Sequence, residues 1–321
     1  NYTLENQQIH FFTSNDTSHL DIKWDNQSAQ SYRGELQLSG TFRADSLAKR
    51  ALLADVKPSE FYINNERWMV DPSSFLLKKQ YLSVDSLSLR SHEKHMLADG
   101  TVAQGGNQDF KLDFRNLNLD EMAYLIGSQT KLRGNMTGEL IYQEENGLPY
   151  IFSDIDVDTL YFNEQLMGAT SLKAAWNENR RTIRMLLQSR LEELNTIEVD
   201  GEYTPATKAV DFEIRLNEFQ LQSLNPYVES LLDDLSGSAN VALNLDGTLE
   251  QPKINGNIDL NRGAATLSYL NTRYTFDESV RVYNNNLYFE NLYALDQSGN
   301  QGIINGSISN NYLRDFYTNV R

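Results

Sequence analysis

The stretch Val241-Ala-Leu243-Asn-Leu245-Asp-Gly247-Thr-Leu249 decides the fold class, because apolar residues alternate in it with polar or small ones. A period of two places successive side chains on opposite faces of a β-strand, so that one face is buried and the other is solvated. The segments Leu36-Gln-Leu38-Ser-Gly40 and Phe110-Lys-Leu112-Asp-Phe114 alternate in the same way. The sequence therefore predicts a mainly β protein built from amphipathic strands.

This stretch recurs along the chain. Gly34-Glu-Leu36-Gln-Leu38-Ser-Gly40-Thr-Phe42 and Gly138-Glu-Leu140-Ile-Tyr142 resemble it, and their matched leucines lie 104 and 103 residues apart (140 − 36 and 243 − 140). A second feature, a glycine flanked by alternating residues, recurs in phase at Gly100, Gly201 and Gly306. Self-similarity at a fixed period indicates tandem repeats. We predict three, over approximately residues 32–107, 135–209 and 237–310.

Two further pairs of segments match at twice this spacing, and one connector is duplicated. Trp68-Met-Val70-Asp-Pro-Ser73 resembles Tyr274-Thr-Phe276-Asp-Glu-Ser279, and residues 82–87 resemble residues 287–292. The connector of residues 110–119 matches that of residues 212–221. We expect matched segments to have the same local structure.

A short helix is predicted after each connector. Asn225 is a suitable N-cap and Pro226 a suitable first helical residue. One apolar face would follow, made of Val228, Leu231, Leu232 and Leu235. After the earlier connector, Gly127 can end a shorter stripe of Met122, Leu125 and Ile126.

Two other segments have helical spacing. Ser46 can cap a helix that runs to Ala54. Arg181 to Leu194 fits either a helix, by the spacing of its leucines, or strands, by the register of the repeats, and we follow the register.

Repeats that are rich in strands and poor in helices are expected to stack edge to edge, since parallel βαβ connections need longer helices. We predict one extended, repetitive β body over residues 1–321: an elongated, curved sheet with a few short helices. Glycines at turns or bends, where a side chain would clash, are predicted at Gly40, Gly100, Gly247 and Gly306.

Composition excludes several functional classes. The chain has 44 acidic and 28 basic residues and a net charge of −16, so it would repel nucleic-acid phosphates and anionic membrane surfaces. The absence of cysteine removes disulfides and thiolate chemistry. No run approaches the roughly 20 apolar residues of a membrane helix. Because the chain begins and ends in strand-like sequence, at Tyr2–Phe12 and Tyr312–Arg321, we expect it to be a fragment of a larger protein.

Candidate metal sites do not match known patterns. Ser91-His92-Glu93-Lys94-His95 is one residue short of a zinc-protease HExxH motif and lies between strand patterns, so a solvated loop is predicted. Ser153–Asp158 begins like a calcium loop, but Thr159 and Gln165 stand where glycine and glutamate are required. The wet face of a strand is the better interpretation. We predict no metal site.

Catalytic motifs are also missing from the sequence. Glu192-Glu193 and Asp233-Asp234 are interpreted as solvated charges, beside a turn and at a helix end respectively. Gly105-Gly106-Asn107 reads as a plain turn, and no GxSxG, GxxxxGK[ST] or GxGxxG motif occurs. We therefore predict a protein that is not an enzyme and has no cofactor.

The last third of the chain resembles the TamB family and its AsmA-like relatives. The likeness runs from Leu235-Ser-Gly237 through Gly247-Thr-Leu-Glu-Gln-Pro252-Lys-Ile254-Asn-Gly256, and continues to Asn305-Gly306-Ser-Ile308. Trp68 to Val102 is also similar, while residues 210–321 are the most TamB-like.

The resemblance implies a taco-like sheet around an apolar groove. It implies a protein of the Gram-negative periplasm, anchored in the inner membrane at full length. The implied role is outer-membrane biogenesis, by passage of phospholipid between membranes or by assisting barrel assembly with a TamA-type partner through regions outside this chain.

An apolar groove supplies a physical route to that role. If alternating residues line the concave side of an open sheet, acyl chains there would gain about 0.8 kcal/mol per buried methylene. The candidate groove residues are Leu36, Leu38, Leu140, Tyr142, Leu243, Leu245, Ile254, Ile258 and Leu260.

Two alternatives stay open. The same side chains would fill the core of an ordinary β-sandwich, as in a secreted or surface module that binds carbohydrate. A β-helix hydrolase would need coils of roughly 20 residues and a carboxylate cluster, against the longer period of this chain.

Overall fold

The fold is known from a computed structural model, which describes residues 6–27, 32–44, 50–63, 65–103, 108–120, 130–145, 147–228, 232–268, 271–311 and 314–320. With 80% of residues in strands and 4% in helices, the chain is nearly all antiparallel β-sheet. The mainly β prediction is therefore confirmed. The chain divides into two compact units, and the boundary falls within one long strand, after Ile155.

Unit 1 comprises residues 1–129 and 135–155. Its strands are β1 (Gln8–Ser14), β2 (Thr17–Asp25), β3 (Arg33–Ala44), β4 (Arg50–Val56), β5 (Ser59–Ile63), β6 (Glu66–Val70), β7 (Ser73–Lys78), β8 (Tyr81–Ser91), β9 (Lys94–Ala103), β10 (Gln108–Asn118), β12 (Asn135–Glu145) and the first half of β13 (Leu148–Phe162).

Unit 2 comprises residues 130–134 and 156–321. It begins with β11 (Leu132–Arg133) and the second half of β13. The following elements are β14 (Gln165–Asn177), β15 (Thr182–Leu191), β16 (Leu194–Thr204), β17 (Ala209–Gln220), a 3-10 helix (Leu221–Leu224), α1 (Asn225–Val228), β18 (Leu232–Gly247), β19 (Pro252–Leu267), β20 (Thr272–Phe276), β21 (Ser279–Tyr283), β22 (Asn286–Asp296), β23 (Gln301–Asn311) and β24 (Arg314–Val320).

Antiparallel pairing follows chain order in both units. In unit 1, β4 and β5 lie end to end against β3, and β7 and β6 lie end to end against β8. In unit 2, β20 and β21 lie end to end between β19 and β22. Each such pair of short strands takes the place of one long strand in the sheet.

Matched sequence segments share these interruptions. The break between β6 and β7 falls at Asp71-Pro72, and the break between β20 and β21 falls at Asp277-Glu278, which is the same place in the matched segments. The boundaries of the three predicted repeats stay a prediction, since the two units divide the chain elsewhere.

Matched segments also share β-bulges. The bulges of β8 (after Val84) and β22 (after Phe289) occupy the same place in one match, as do those of β10 (after Phe114) and β17 (after Leu216) in another. In each bulge a residue with positive φ donates its backbone N–H to a side-chain oxygen of the neighbouring strand. These pairs are Ser86 with Asp99 at 2.9 Å, Asn116 with Thr137 at 3.0 Å, Glu218 with Asn240 at 2.9 Å and Asn291 with Asn305 at 2.8 Å.

The helix predicted from Ser46 to Ala54 is wrong for the residues that the structure describes. Residues 50–56 form β4, which pairs with β3 on one side and β7 on the other. Hydrogen bonding from both neighbours outweighs the weak helical propensity of the segment. Residues 45–49 lie outside the described residues.

The helix predicted after Asn225 is shorter than expected. It spans Asn225–Val228, and Leu232 and Leu235 belong to β18, so Asp233-Asp234 lies in a strand and not at a helix end. Leu231 lies outside the described residues. Asn225 does not cap the helix, because its Oδ1 accepts the Leu235 N–H at 3.0 Å and its Nδ2 donates to the Leu235 carbonyl at 3.2 Å. The amide thus holds the helical segment against β18.

Two other helix predictions have different outcomes. Arg181 to Leu194 forms strands joined by a turn, which confirms the prediction from the repeat register. The stripe of Met122, Leu125 and Ile126 and its stop at Gly127 lie outside the described residues, although Leu119 and Asp120 are helical.

The glycines predicted at turns or bends lie inside strands at Gly40, Gly100 and Gly306, and at the end of β18 at Gly247. The predicted clash holds at Gly100, whose φ is +118° and whose added Cβ would overlap the Asp109 carbonyl. Among the described residues, a glycine faces a phenylalanine across the strands in six pairs: Gly34 and Phe61, Gly100 and Phe110, Gly138 and Phe114, Gly201 and Phe212, Gly263 and Phe276, and Gly306 and Phe289.

Candidate functional site: two apolar sheet faces

Cross-strand pairing brings the apolar residues of unit 1 onto one face. Residues that pair directly across antiparallel strands point to the same side of a sheet. One such row crosses seven strands and consists of Gly40, Ala54, Phe75, Val84, Gly100, Phe110 and Tyr142. Leu36 and Leu38 share the face of Gly40, and Leu140 shares that of Tyr142, so these predicted groove residues lie on the unit 1 apolar face.

One end of the unit 1 apolar face is packed. Trp68, Phe114 and Leu117 form a buried cluster there. Seven partly buried apolar residues pack against it: Phe61, Ile63, Leu89, Met96, Leu112, Met136 and Ile155. This end anchors the unit in the way that the core of a globular domain does.

The other end of the same face is open. A row of paired residues crosses β3, β4, β7, β8 and β9 there, and it consists of Phe42, Leu52, Leu77, Leu82 and Val102. The exposed fractions are 68% for Phe42, 49% for Leu77, 38% for Leu82 and 42% for Val102. A contiguous exposed apolar row is unusual for a protein surface and marks a site of interaction.

Tyr142 lies at the edge of this face. Its hydroxyl donates to Glu144 Oε2 at 2.8 Å, and the same oxygen accepts from Gln108 Nε2 at 2.7 Å. Burial, followed by the hydrogen bond with Glu144, raises the pKa of Tyr142 to about 12. The predicted groove residue therefore combines an apolar ring with a polar tip.

Unit 2 has an equivalent apolar face. A row of direct pairs crosses nine strands, through Leu172, Leu187, Val199, Ile214, Leu243, Gly256, Val282, Leu287 and Ile308. Leu245 and Ile254 pair with each other next to this row, and Val241 pairs with Ile258 on its other side. All five predicted groove residues of unit 2 thus lie on one face.

The helical segment of unit 2 covers one end of that face. Leu221 of the 3-10 helix is buried with Leu235, Ala239 and Ala265, and Ile258 and Leu260 pack against this cluster. Leu243, Leu245 and Ile254 lie beyond the cluster and are half-buried. The structure therefore separates the predicted residues of unit 2 into a pair that packs against the cluster and a trio that lies outside it.

The opposite faces are polar and carry ion pairs between strands. Lys111 pairs with Glu139 at 2.8 Å in unit 1. Arg184 pairs with Asp200 at 2.7 Å in unit 2. Such exposed pairs contribute little stability, but they keep the second face of each sheet hydrated.

The other residues singled out in the sequence do not converge. His92-Glu93 forms the turn between β8 and β9, and Glu192-Glu193 forms the turn between β15 and β16. The segment from Asp154 to Asp158 lies in β13, as predicted. Among the described residues there is no group of three His, Asp or Glu side chains arranged to hold a metal ion. Gly105-Gly106-Asn107 lies outside the described residues.

Sequence reasoning missed the open row of unit 1. Leu77 belongs to no regular alternating segment, Phe42 and Val102 stand at the ends of such segments, and Leu52 falls in a predicted helix. The available signal was the match of residues 82–87 with 287–292, since Leu82 and Leu287 occupy the same position and both lie on an apolar face.

The family described as "TamB, N-terminal domain" matches the chain over residues 2–260. The chain belongs to the TamB family. TamB domains are in general of a non-enzymatic transport and assembly type, and the family points to a periplasmic envelope protein. Neither a curated protein nor a solved structure matches this TamB chain. In the part of the chain that the structure describes, no helix is long and apolar enough to span a membrane.

Proposed function

We propose that this TamB chain shields and conducts the acyl chains of phospholipids along its apolar faces, without covalent chemistry. The setting would be the periplasm of a Gram-negative bacterium and the role outer-membrane biogenesis. Inner-membrane anchoring at full length and a TamA-type partner are part of the same proposal, and the family resemblance is their only support.

The open row of unit 1 carries the proposal. Its paired side chains run across five neighbouring strands, and its outermost members expose 68% and 42% of their surface, at Phe42 and Val102. Side chains that served only as a sandwich core would be covered. Their exposure favours a transient apolar occupant over the carbohydrate-binding alternative, which needs a filled interior.

The occupant best suited to such a surface is a flexible hydrocarbon chain. Each methylene that leaves water gains about 0.8 kcal/mol, so a chain lying over several strands offsets a large part of its exposure cost. The side chains of Phe42, Leu77 and Leu82 are themselves apolar and form no hydrogen bonds. Binding of this kind is non-directional, which suits movement along the face.

Site-specific photo-crosslinking tests the proposal. A photoreactive residue at Leu82 or Leu243, both on apolar faces, should capture phospholipid in cells and be detected by mass spectrometry. The matched controls are Ser83 and Asn244, the next residues along the same strands, which point to the opposite faces. Equal capture at Leu82 and Ser83, or no lipid adduct at either apolar position, would contradict the proposal.

A further inference from the structure

Three basic residues lie in one row beside the β8–β9 turn of unit 1. His95 on β9 pairs directly with Arg90 on β8 and with Arg115 on β10. The row lies on the polar face, since the neighbouring residue Met96 pairs with Phe114 on the apolar face. Basic residues directly opposite one another disfavour the sheet unless an anion compensates them.

The row is only partly compensated by carboxylates. Arg90 binds the Asp71 carboxylate through two nitrogens, since Nε donates to Oδ2 at 2.8 Å and Nη2 donates to Oδ1 at 2.5 Å, and this hydrogen bonding lowers the pKa of Asp71. His95 Nδ1 lies 4.0 Å from Asp113 Oδ1, at the limit of an ion pair. Arg115 forms no hydrogen bond or ion pair with the described residues, so its guanidinium is the available donor of the row.

A cavity of about 420 Å³ opens at this row. Five of its seven lining residues are basic, namely Arg90, His92, Lys94, His95 and Arg115, while Glu93 is the only acidic one. Carboxylates lie beside three of these basic groups, namely Asp71 at Arg90, Glu66 at Lys94 and Asp113 at His95, whereas Arg115 has no such partner among the described residues. The Arg115 guanidinium, which lines the cavity without a carboxylate partner, is therefore the charge that attracts a small anion there.

The Lys94 amine contacts Glu66 and Trp68 and is therefore not counted among the donors of the row. Its Nζ lies 2.5 Å from Glu66 Oε2 and 5.8 Å from the centre of the Trp68 ring. Arg115 and His95 are therefore the main groups available to a ligand, together with Nη1 of Arg90, whose Nε and Nη2 bind Asp71.

The matched position in unit 2 shows that the bulge itself does not require a cation. Asn217 occupies the place of Arg115 in the connector match, next to the bulge of β17. Its side-chain amide donates to the Asn195 carbonyl at 2.6 Å. An uncharged residue that bonds to the neighbouring strand thus serves the same local geometry.

We infer that the row of Arg90, His95 and Arg115 binds a phosphate group, as a phosphate monoester or diester. Neighbouring strands lie about 4.8 Å apart, so a tetrahedral anion has oxygens enough to meet donors from two or three of them. The planar guanidinium of Arg115 can bind two of those oxygens at once. The site lies on the polar face and does not require an acyl chain on the apolar face.

Proton NMR of the histidines provides the direct test, because the chain has only four. Titration with inorganic phosphate, against sodium chloride at equal ionic strength, should shift the His92 and His95 ring signals in a saturable way and leave His10 and His19 unchanged. Arg115→Gln should weaken this binding roughly tenfold or more, as expected for loss of a charged hydrogen-bond donor.

Lys253→Gln is the matched control, because it removes one exposed positive charge from a polar face of unit 2. Equal weakening by both substitutions would overturn the inference, since it would reduce the effect to net charge. His95→Gln provides a second variant, and circular dichroism verifies that each variant is folded.

A vesicle assay separates the two sources of phosphate. Binding to phosphatidylglycerol vesicles that depends on Arg115, without saturable shifts from inorganic phosphate, would identify a lipid headgroup as the ligand. Shifts from inorganic phosphate without vesicle binding would identify a soluble phosphate. If neither probe shows binding that depends on Arg115, the inference is wrong, while the crosslinking test of the apolar faces is unaffected.

Discussion

Single glycines determine how closely the strands of this sheet approach one another. Gly100 in β9 lies between Val84 and Phe110, and its backbone has a φ of +118°. An added Cβ would clash with the backbone of Asp109. In addition, a residue with a side chain rarely adopts this positive φ. A bulky ring facing a glycine covers the exposed backbone, which compensates for the missing side chain.

Gly100→Ala is therefore expected to destabilise the protein by roughly 2 kcal/mol or more. Gly302→Ala is the control, because the nearest atom to its added Cβ is the Ala294 carbonyl oxygen at 3.9 Å. Its effect should stay within about 0.5 kcal/mol. Urea unfolding of both variants measures the difference, and equal effects would refute the role given to Gly100.

At this scale the sequence predicts the clash but not its place. The regular spacing of Gly100, Gly201 and Gly306 shows that a glycine recurs once in each predicted repeat. A position that recurs as glycine is expected to require glycine, and this holds at Gly100. That the glycine faces Phe110 depends on the register between β9 and β10, and a one-residue shift would change every facing pair.

Among the elements, the bulged strands depend on side chains of their neighbours. In β8, Ser86 has a φ of +53°, and both its N–H and its hydroxyl donate to Asp99 Oδ2 of β9, at 2.9 and 3.1 Å. The extra residue of a bulge leaves a backbone group outside the regular ladder, so a side-chain acceptor has to satisfy it.

Asp99→Ala is accordingly expected to cost about 1 to 2 kcal/mol of unfolding free energy, because the bulge N–H would lose its acceptor. Asp99→Asn keeps an oxygen and should recover most of the loss. The control is Asp85→Ala, one residue before Ser86 on the exposed face. Thermal unfolding compares the three, and a loss at Asp85 as large as that at Asp99 would contradict this role.

Alternation predicts strands well and irregularities poorly. The strands that contain Leu36, Phe110 and Leu243 follow from their period of two. The bulges do not, because Ser86 and Asn116 are ordinary polar residues whose backbone conformation depends on Asp99 and Thr137. The sequence wrongly predicts a helix up to Ala54 for a related reason, because the strand there is specified by β3 and β7, which are distant in sequence.

For the molecule as a whole, each apolar face has a packed part and an open part, and the two should respond differently to substitution. Phe114→Ala removes a ring that is 4% exposed, and should cost roughly 3 to 5 kcal/mol. Leu82→Ala lies in the open row and should cost less than about 1 kcal/mol.

Lipid capture should show the opposite order. Leu82→Asp is expected to abolish capture at a photoreactive residue placed at neighbouring Leu77 while leaving the denaturation midpoint nearly unchanged. Leu82→Met, which conserves the apolar volume, is the control. A fall in stability at Leu82 comparable to that at Phe114 would show that the open row belongs to the core.

The sequence predicts the two faces but not their covered and open parts. All nine proposed groove residues lie on the apolar face of their own unit. Ile258 and Leu260, however, lie under the helical segment, because Leu221 and Leu224 return to the sheet in a way that depends on Asn225 and Leu235. No local sequence pattern predicts that the helical segment packs against the sheet in this way.

The order of pairing has a consequence for how the chain acquires its structure. Nearly every strand finds its partner one hairpin away, and the nested strands β5 and β6 separate β4 from β7 by fewer than twenty residues. Closing such short loops costs little entropy, and topologies dominated by local contacts fold quickly. Folding can therefore proceed vectorially, each new hairpin docking on the edge left by its predecessor before the rest of the polypeptide has been made.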